Sequence, residues 1–173
     1  MHRSQGLWPL TLTALALLAI TMTSTQAQAQ VPSTGDFGAG IILGEPSGLT
    51  GKLWFNPSNA LDVHLAFDFT DEAVAIFSDY TYHFDLIKLR SNVQVELPFY
   101  VGIGGKLLVD ANSDNENEKD AALTLGARIP LGMSVLFKKA PLEIFLEIAP
   151  GLRVVPKTSG DLDGGIGVRY YFH

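Results

Sequence analysis

The chain contains no cysteine, carries little charge and has no apolar run long enough to form a membrane-spanning helix. Without cysteine it can form no disulfide, no thiolate metal site and no cysteine-linked lipid anchor. Only 17% of its 173 residues are charged and 47% are hydrophobic, so the chain has too much apolar surface to remain disordered. Its net charge of −6 argues against nucleic acid as a partner, because phosphate binding needs a stripe of lysine and arginine.

Residues 1–29 have the features of a cleavable secretory signal peptide. Arg3 provides a positive start, a 14-residue and mostly apolar run follows over 7–20, and an Ala-Gln-Ala triplet at 27–29 matches the usual cleavage pattern. As a helix rising 1.5 Å per residue, that run would span about 21 Å, which is short of the roughly 30 Å hydrocarbon core of a membrane. The sequence therefore predicts a mature domain over residues 30–173.

Large apolar residues alternate with small or polar ones through most of the mature domain. Leu142, Ile144 and Leu146, for example, fall on one face of a strand, and Glu143 falls on the other. This period of two predicts β-strands, and no stretch sustains the 3.6-residue period of a helix. Turn sequences separate the segments. The eight predicted strands cover residues 36–44, 48–55, 60–69, 74–85, 97–109, 121–133, 142–154 and 164–172.

Evenly spaced strands without helices between them predict an antiparallel up-and-down meander, and closure into a barrel pairs its two exposed edges. An eight-stranded barrel has room inside only for packed side chains. Because one face carries bulky apolar residues and the other carries glycine and the charges, the bulky face is expected outside, in hydrocarbon. The predicted fold is an eight-stranded antiparallel transmembrane β-barrel in the bacterial outer membrane.

The charges on the glycine face are predicted to pair with one another inside the barrel. Hydrogen-bonded ion pairs can satisfy themselves there, whereas an arginine on the lipid face would cost about 2–4 kcal/mol at the membrane midplane. The predicted lumen residues are Lys52, Asp62, His64, Asp68, Asp79, His83, Asp85, Lys106, Arg128, Glu143, Glu147, Arg153 and Arg169.

With a periplasmic N-terminus, every second connection faces the cell exterior. The predicted surface connections are 45–47, 70–73, 110–120 and 155–163, and the acidic stretch at 110–120 is the longest polar one. We expect a monomer that contacts outer-membrane lipid and lipopolysaccharide and that holds these four loops for a structural or surface-interaction role. No enzymatic activity and no cofactor are predicted.

Two other functions remain open. If Phe69 pairs with Val74, His64 lies opposite Asp79, and such a dyad could serve a lipid hydrolase or acyltransferase inside the barrel. That enzyme would need a nucleophile, but the alternation turns Ser78 outward and no Gly-x-Ser-x-Gly motif occurs. An ion pair that stabilises the barrel is the favoured interpretation. The other alternative is a soluble, lipocalin-like barrel around an apolar ligand.

Two short motifs lack the context that their chemistry needs. The stretch 110–120 alternates oxygen-bearing side chains as a calcium loop does, but Asn115 and Ala121 stand where such a loop needs glycine and glutamate. The run Gly102–Lys106 matches part of a phosphate-binding loop, but no helix is predicted after it. We therefore predict no metal site and no nucleotide site.

The stretches 99–105, 140–150 and 163–172 resemble a family of small uncharacterised bacterial outer-membrane β-barrel proteins. That family is OmpA-like in its barrel but lacks a peptidoglycan-binding domain, and the resemblance covers most of the mature domain. It implies a fold and a location but no activity, so it carries over no functional residue. The last stretch, with Tyr170 and Phe172, also resembles the C-terminal signal that the outer-membrane assembly machinery reads, which makes that machinery an expected partner.

Overall fold

The computed structural model describes residues 33–45, 47–68, 73–85, 94–110 and 123–172. Residues 67, 68, 73 and 110 are described by their backbone alone. No helix in these ranges is long and apolar enough to cross a membrane. The ranges form ten strands: β1 (Phe37–Glu45), β2 (Gly48–Asn56), β3 (Asn59–Asp68), β4 (Ala73–Phe84), β5 (Val95–Glu96), β6 (Phe99–Asp110), β7 (Leu123–Arg128), β8 (Leu131–Phe137), β9 (Leu142–Val155) and β10 (Ser159–Phe172).

The ten strands form a closed antiparallel ring with eight strand positions. β1 pairs with β2 on one side and with β10 on the other, with Phe37 opposite Phe172. β7 and β8 both lie between β6 and β9, so together they occupy one position in the ring. The two-residue β5 pairs with the end of β8 and continues the line of β6. The predicted up-and-down barrel is therefore confirmed.

Two prolines interrupt the ladder of the ring: Pro130 divides the predicted strand 121–133, and Pro98 falls at the start of the predicted strand 97–109. Pro98 separates β5 from β6, and Pro130 separates β7 from β8. Proline has no backbone N–H and cannot donate to the strand ladder. The ring nevertheless stays closed, because the carbonyl groups of Pro98 and Pro130 accept bonds of 2.9 Å from Ser134 N and 2.8 Å from Gly102 N.

The large apolar side chains point outward around the ring. Leu146 and Ile148 are 55% and 56% exposed, whereas Glu143 and Phe145 on the same strand are 0% and 1% exposed. The same alternation runs along β2, β3, β4 and β10. The outside is thus an apolar belt, and the inside is filled by charged, aromatic and small side chains.

Aromatic residues gather at the rim where the chain enters β1 and leaves β10. Phe37 and Phe172 stack with ring centroids 6.4 Å apart, and Tyr170 meets Phe172 edge-on at 5.1 Å. Phe55 on β2 and Tyr80 on β4 stack at 6.2 Å across β3. We call this set the aromatic rim. The opposite rim carries the connections β1–β2, β3–β4, β6–β7 and β9–β10.

The last of these connections differs from its prediction. Residues 155–163 were expected to form a loop, but β9 extends to Val155 and β10 begins at Ser159. Only a three-residue turn at 156–158 remains. The longer strands form a hairpin in which β10 extends past the end of β1, while β9 stays paired with β7 as far as Val155. The predicted signal peptide and most of the 110–120 stretch lie outside the described residues, so both stay predictions.

Candidate functional site

The charged side chains that point into the ring are the candidate functional site. Each of the inward residues that follow is at most 4% exposed. Ten of the thirteen residues assigned to the lumen from the sequence are in this set: Lys52, Asp62, His64, Asp79, His83, Lys106, Arg128, Glu143, Glu147 and Arg169.

Two residues that were predicted in the lumen lie elsewhere. Arg153 is 45% exposed in its side chain and pairs with Asp161 at the end of the β9–β10 hairpin. Asp85 follows the last residue of β4 and is exposed. Asp85 lies beyond the end of its strand, and Arg153 lies at the open mouth of the ring, next to a register irregularity in the pairing of β7 and β9. The side chain of Asp68 lies outside the described part of the chain.

Asp161 and Asp163 also belong to the charges of the lumen, but they were not predicted there from the sequence. They were assigned to a loop, but both belong to β10 and share the inward face with Gly165 and Arg169. Extending the alternation of β10 backwards by two steps would have found them. We define the lumen network as four cations and six carboxylates. Its members are Lys52, Lys106, Arg128, Arg169, Asp62, Asp79, Glu143, Glu147, Asp161 and Asp163.

The half of the network nearer the aromatic rim is organised by Glu143. One carboxylate oxygen accepts hydrogen bonds from Lys52 Nζ at 3.2 Å and Ser134 Oγ at 2.5 Å. The other accepts from Arg169 Nη1 at 3.2 Å and Tyr171 OH at 2.6 Å. Glu143 therefore has four donors and is fully buried. We call this group the Glu143 cluster.

Lys52 and Arg169 extend the Glu143 cluster across the lumen. Arg169 Nη2 lies 2.8 Å from Asp62 Oδ1, and its guanidinium lies over the ring of Phe145 at 3.8 Å. Lys52 Nζ donates to His83 Nε2 at 2.8 Å, which requires the proton of that neutral imidazole to be on Nδ1. These contacts join residues of five strands through side chains alone.

The other half of the network is organised by Arg128. Its Nη2 donates to Glu147 Oε1, and its Nε lies 3.3 Å from Asp79 Oδ1. Its Nη1 lies 3.6 Å from Asp163 Oδ2, and Asp163 also accepts from Lys106 Nζ at 3.2 Å. We call this group the Arg128 cluster.

His64 and Asp79 approach each other, but not in the predicted register. Phe67, not Phe69, pairs with Val74, so Asp79 is opposite Asp62 and His64 is opposite Phe77. His64 Nε2 is still 3.8 Å from Asp79 Oδ2, since the two side chains meet diagonally.

No described serine or threonine hydroxyl is hydrogen-bonded to His64, and Thr50, which pairs with His64 across the strands, accepts from Arg169 instead. Ser78 points outward. Thr81 is buried, and its hydroxyl donates to Asp62 at 2.7 Å. The geometry therefore gives no specific support to the hydrolase alternative.

Glycines make room for the large groups inside. A Cβ at Gly132 would overlap the ring of Tyr100, and one at Gly167 would overlap Phe145. In the run Gly102–Lys106, a Cβ at Gly104 would overlap the carboxylate of Asp79, and the run lies within β6 with no helix beside it in the described residues. Its resemblance to a phosphate-binding loop therefore has no structural counterpart.

We expect the barrel to show no porin-sized conductance. The Glu143 and Arg128 clusters, with Phe77, Phe145 and Tyr171, fill the cross-section at neighbouring levels and leave no wide water path between them. Planar-bilayer recording of the purified chain would test this. Steady openings as large as those of a porin would contradict the packing described here, and a porin reconstituted in parallel gives the reference amplitude.

Comparison with known proteins gives two matches. The model of DUF3996, a family of proteins of unknown function, matches residues 30–171. Among solved structures, the chain is similar to the N-terminal β-barrel domain of Pseudomonas aeruginosa OprF, with 15% identity and a TM-score of 0.49. That similarity covers 82% of this chain and 100% of the other. No curated protein matches the chain.

Proposed function

Since the chain belongs to the DUF3996 family of proteins of unknown function, we propose from its geometry that it is a bacterial outer-membrane protein. In this proposal the barrel spans the membrane as a monomer and holds four connections at the cell surface. Its role is structural or is surface interaction, and it involves no catalysis. The partners are lipid, lipopolysaccharide and the assembly machinery, which reads the exposed Tyr170 and Phe172 at the end of β10.

The apolar belt carries this proposal. Soluble monomers rarely expose a contiguous apolar patch of more than a few hundred Å². Here Ile103, Leu146, Ile148 and Ile166 are each more than half exposed, and similar residues surround the ring. A closed ring also satisfies its backbone groups without water, which any structure in hydrocarbon requires. The aromatic rim fits one membrane interface.

The charged interior of the ring disfavours the soluble alternative. A lipocalin-like carrier needs an apolar cavity for its ligand. The space that would hold the ligand contains Lys52, Glu143 and Arg169 at 1% exposure or less. Sedimentation with the outer-membrane fraction and heat-modifiable gel mobility would support the membrane barrel. A folded, detergent-free monomer in the soluble periplasm would refute it.

Trypsin added to intact cells is expected to cut at Lys119, which lies in the longest predicted surface connection. Lys138 and Lys139 in the β8–β9 turn should stay intact, because that turn is at the aromatic rim and faces the periplasm. Mass spectrometry of the fragments gives the positions.

Two controls make this result specific for orientation. A Lys119→Ala variant should lose the cut in the 110–120 stretch. In permeabilised cells, cleavage at 138–139 should appear, because Lys138 is partly exposed. Cleavage at 138–139 in intact cells would reverse the proposed orientation.

A further inference from the structure

We propose that the lumen contains a binding site for one divalent transition-metal ion, with Zn²⁺ as the best fit, formed by His64, Asp79 and Glu147. One ligand atom from each residue lies within 4.8 Å of the others. β3, β4 and β9 supply the three residues, so the closed ring itself brings them together. Imidazole nitrogen and carboxylate oxygen are both ligands that zinc takes in proteins. The proposal does not depend on what the surface connections contact.

His64 is the first reason to place a ligand here. It is 1% exposed, and neither ring nitrogen has a hydrogen-bond partner among the described residues. Both oxygens of the fully buried Asp79 also lack a hydrogen bond, although Arg128 lies near one of them. Buried polar groups are normally hydrogen-bonded. An unpartnered nitrogen 3.8 Å from an unpartnered carboxylate oxygen is the arrangement that a shared cation would satisfy.

The charge balance of the lumen is the second reason. Among the described residues, the lumen network has four cations against six carboxylates, an excess of two negative charges when all are ionised. If Arg153 at the exposed rim is counted as a fifth cation, one carboxylate still has no positive charge to balance it. Uncompensated charge is costly away from water. A divalent cation beside Asp79 and Glu147 would offset it.

Arg128 holds the two carboxylates in place and can release them. It contacts both Asp79 and Glu147, and its Nη1 is already 3.6 Å from Asp163. In the proposed bound state the guanidinium pairs with Asp163, and the metal takes its place between the other two carboxylates. Ligand atoms in a tetrahedral zinc site are about 3.4 Å apart, so each would move by less than about 1 Å.

Carboxylates also lead from the surface rim to the site. The side chains of Asp161 and Asp163 are 12% and 11% exposed and occupy successive inward positions of β10. Asp163 contacts Arg128, which contacts Glu147 and Asp79. A cation that enters at the β9–β10 hairpin would therefore meet negative charge at each step.

The direct test uses the full chain, refolded in detergent micelles without a histidine tag. Isothermal titration with Zn²⁺ should give one ion per chain. Titration with Co²⁺ should give visible absorption bands of a four-coordinate ion that Co²⁺ in buffer lacks. If the refolded wild-type chain binds neither metal in stoichiometric amount, the proposal is wrong.

Variants locate the bound ion. His64→Ala and Asp79→Asn should each weaken binding at least about tenfold, which is the lower range for loss of even an outer partner of a metal site. His83→Ala is the matched control, since His83 is equally buried but bonded to Lys52 in the Glu143 cluster. Heat-modifiable mobility confirms that each variant is folded. Zinc binding that persists unchanged in both ligand variants would place the ion elsewhere, such as the 110–120 stretch, and would refute this site.

Discussion

Replacing Glu143 with alanine should destabilise the barrel by about 3–5 kcal/mol, the usual cost of removing one partner from a buried ion pair. Lys52 and Arg169 would each lose a hydrogen-bonded carboxylate, and Ser134 and Tyr171 would lose an acceptor. Water cannot replace these contacts readily, because all four side chains are at most 2% exposed. Urea unfolding in lipid vesicles, followed by tryptophan fluorescence, would measure the change in free energy.

Two further variants show whether burial causes this effect. Glu96→Ala also removes one side of an ion pair, with Lys138 at 3.2 Å, but both side chains are partly exposed, so we expect a loss of about 0–1 kcal/mol. Glu143→Gln keeps one oxygen as an acceptor for either Ser134 or Tyr171 and removes the charge, so it should fall between the two. Equal effects of the Glu143 and Glu96 alanine variants would contradict the proposed importance of the Glu143 cluster.

Leu146→Arg should impair membrane insertion by about 2–4 kcal/mol, because it places a charge on the apolar belt near mid-height. Leu146 is 55% exposed and pairs with Ile166, four residues from Tyr170 at the aromatic rim. On a tilted strand this is roughly 10 Å above that rim, within a belt about 25 Å tall. Folding yield in vesicles, read from heat-modifiable mobility, should fall sharply.

The same substitution at another height is the matched control. Leu162 is 69% exposed and pairs with Pro150, eight residues from Tyr170 and so roughly 20 Å above the aromatic rim. Leu162→Arg is expected to cost only about 0–1 kcal/mol, since the charge can reach the interface. Asp114→Ala in the predicted surface stretch should have no effect. Normal insertion of Leu146→Arg would show that this face does not meet lipid.

The facing of the strands could be predicted because a period of two leaves only two choices, and the interior volume of eight strands selects between them. Glu143 and Leu146 are on the predicted sides for this reason. The interruptions at Pro98 and Pro130 were not predicted, although proline is a known strand breaker. The apolar alternation continues across both prolines and hides the break.

The register of strand pairing and the positions of the strand ends were harder to predict from the sequence. A two-residue shift in the β3–β4 hairpin keeps every side chain on its face, so the alternation cannot tell whether Asp79 is opposite Asp62 or His64. The end of a strand poses the same difficulty. Arg153 and Asp161 lie at the mouth of the ring, where an inward direction no longer means burial for a long side chain. Whether His64, Asp79 and Glu147 lie close together depends on the strand register and on where the strands end.

The pairing of β10 with both β1 and β9 has a consequence for biogenesis. The fourteen residues of β10 provide both ladders, and β1 has no partner on one side until β10 arrives. Until then the ring is an open sheet, and under the proposed membrane location such a sheet would carry bare hydrogen-bonding edges into hydrocarbon. The proposal therefore implies that the barrel closes only after the whole chain has been exported, when its first and last strands meet.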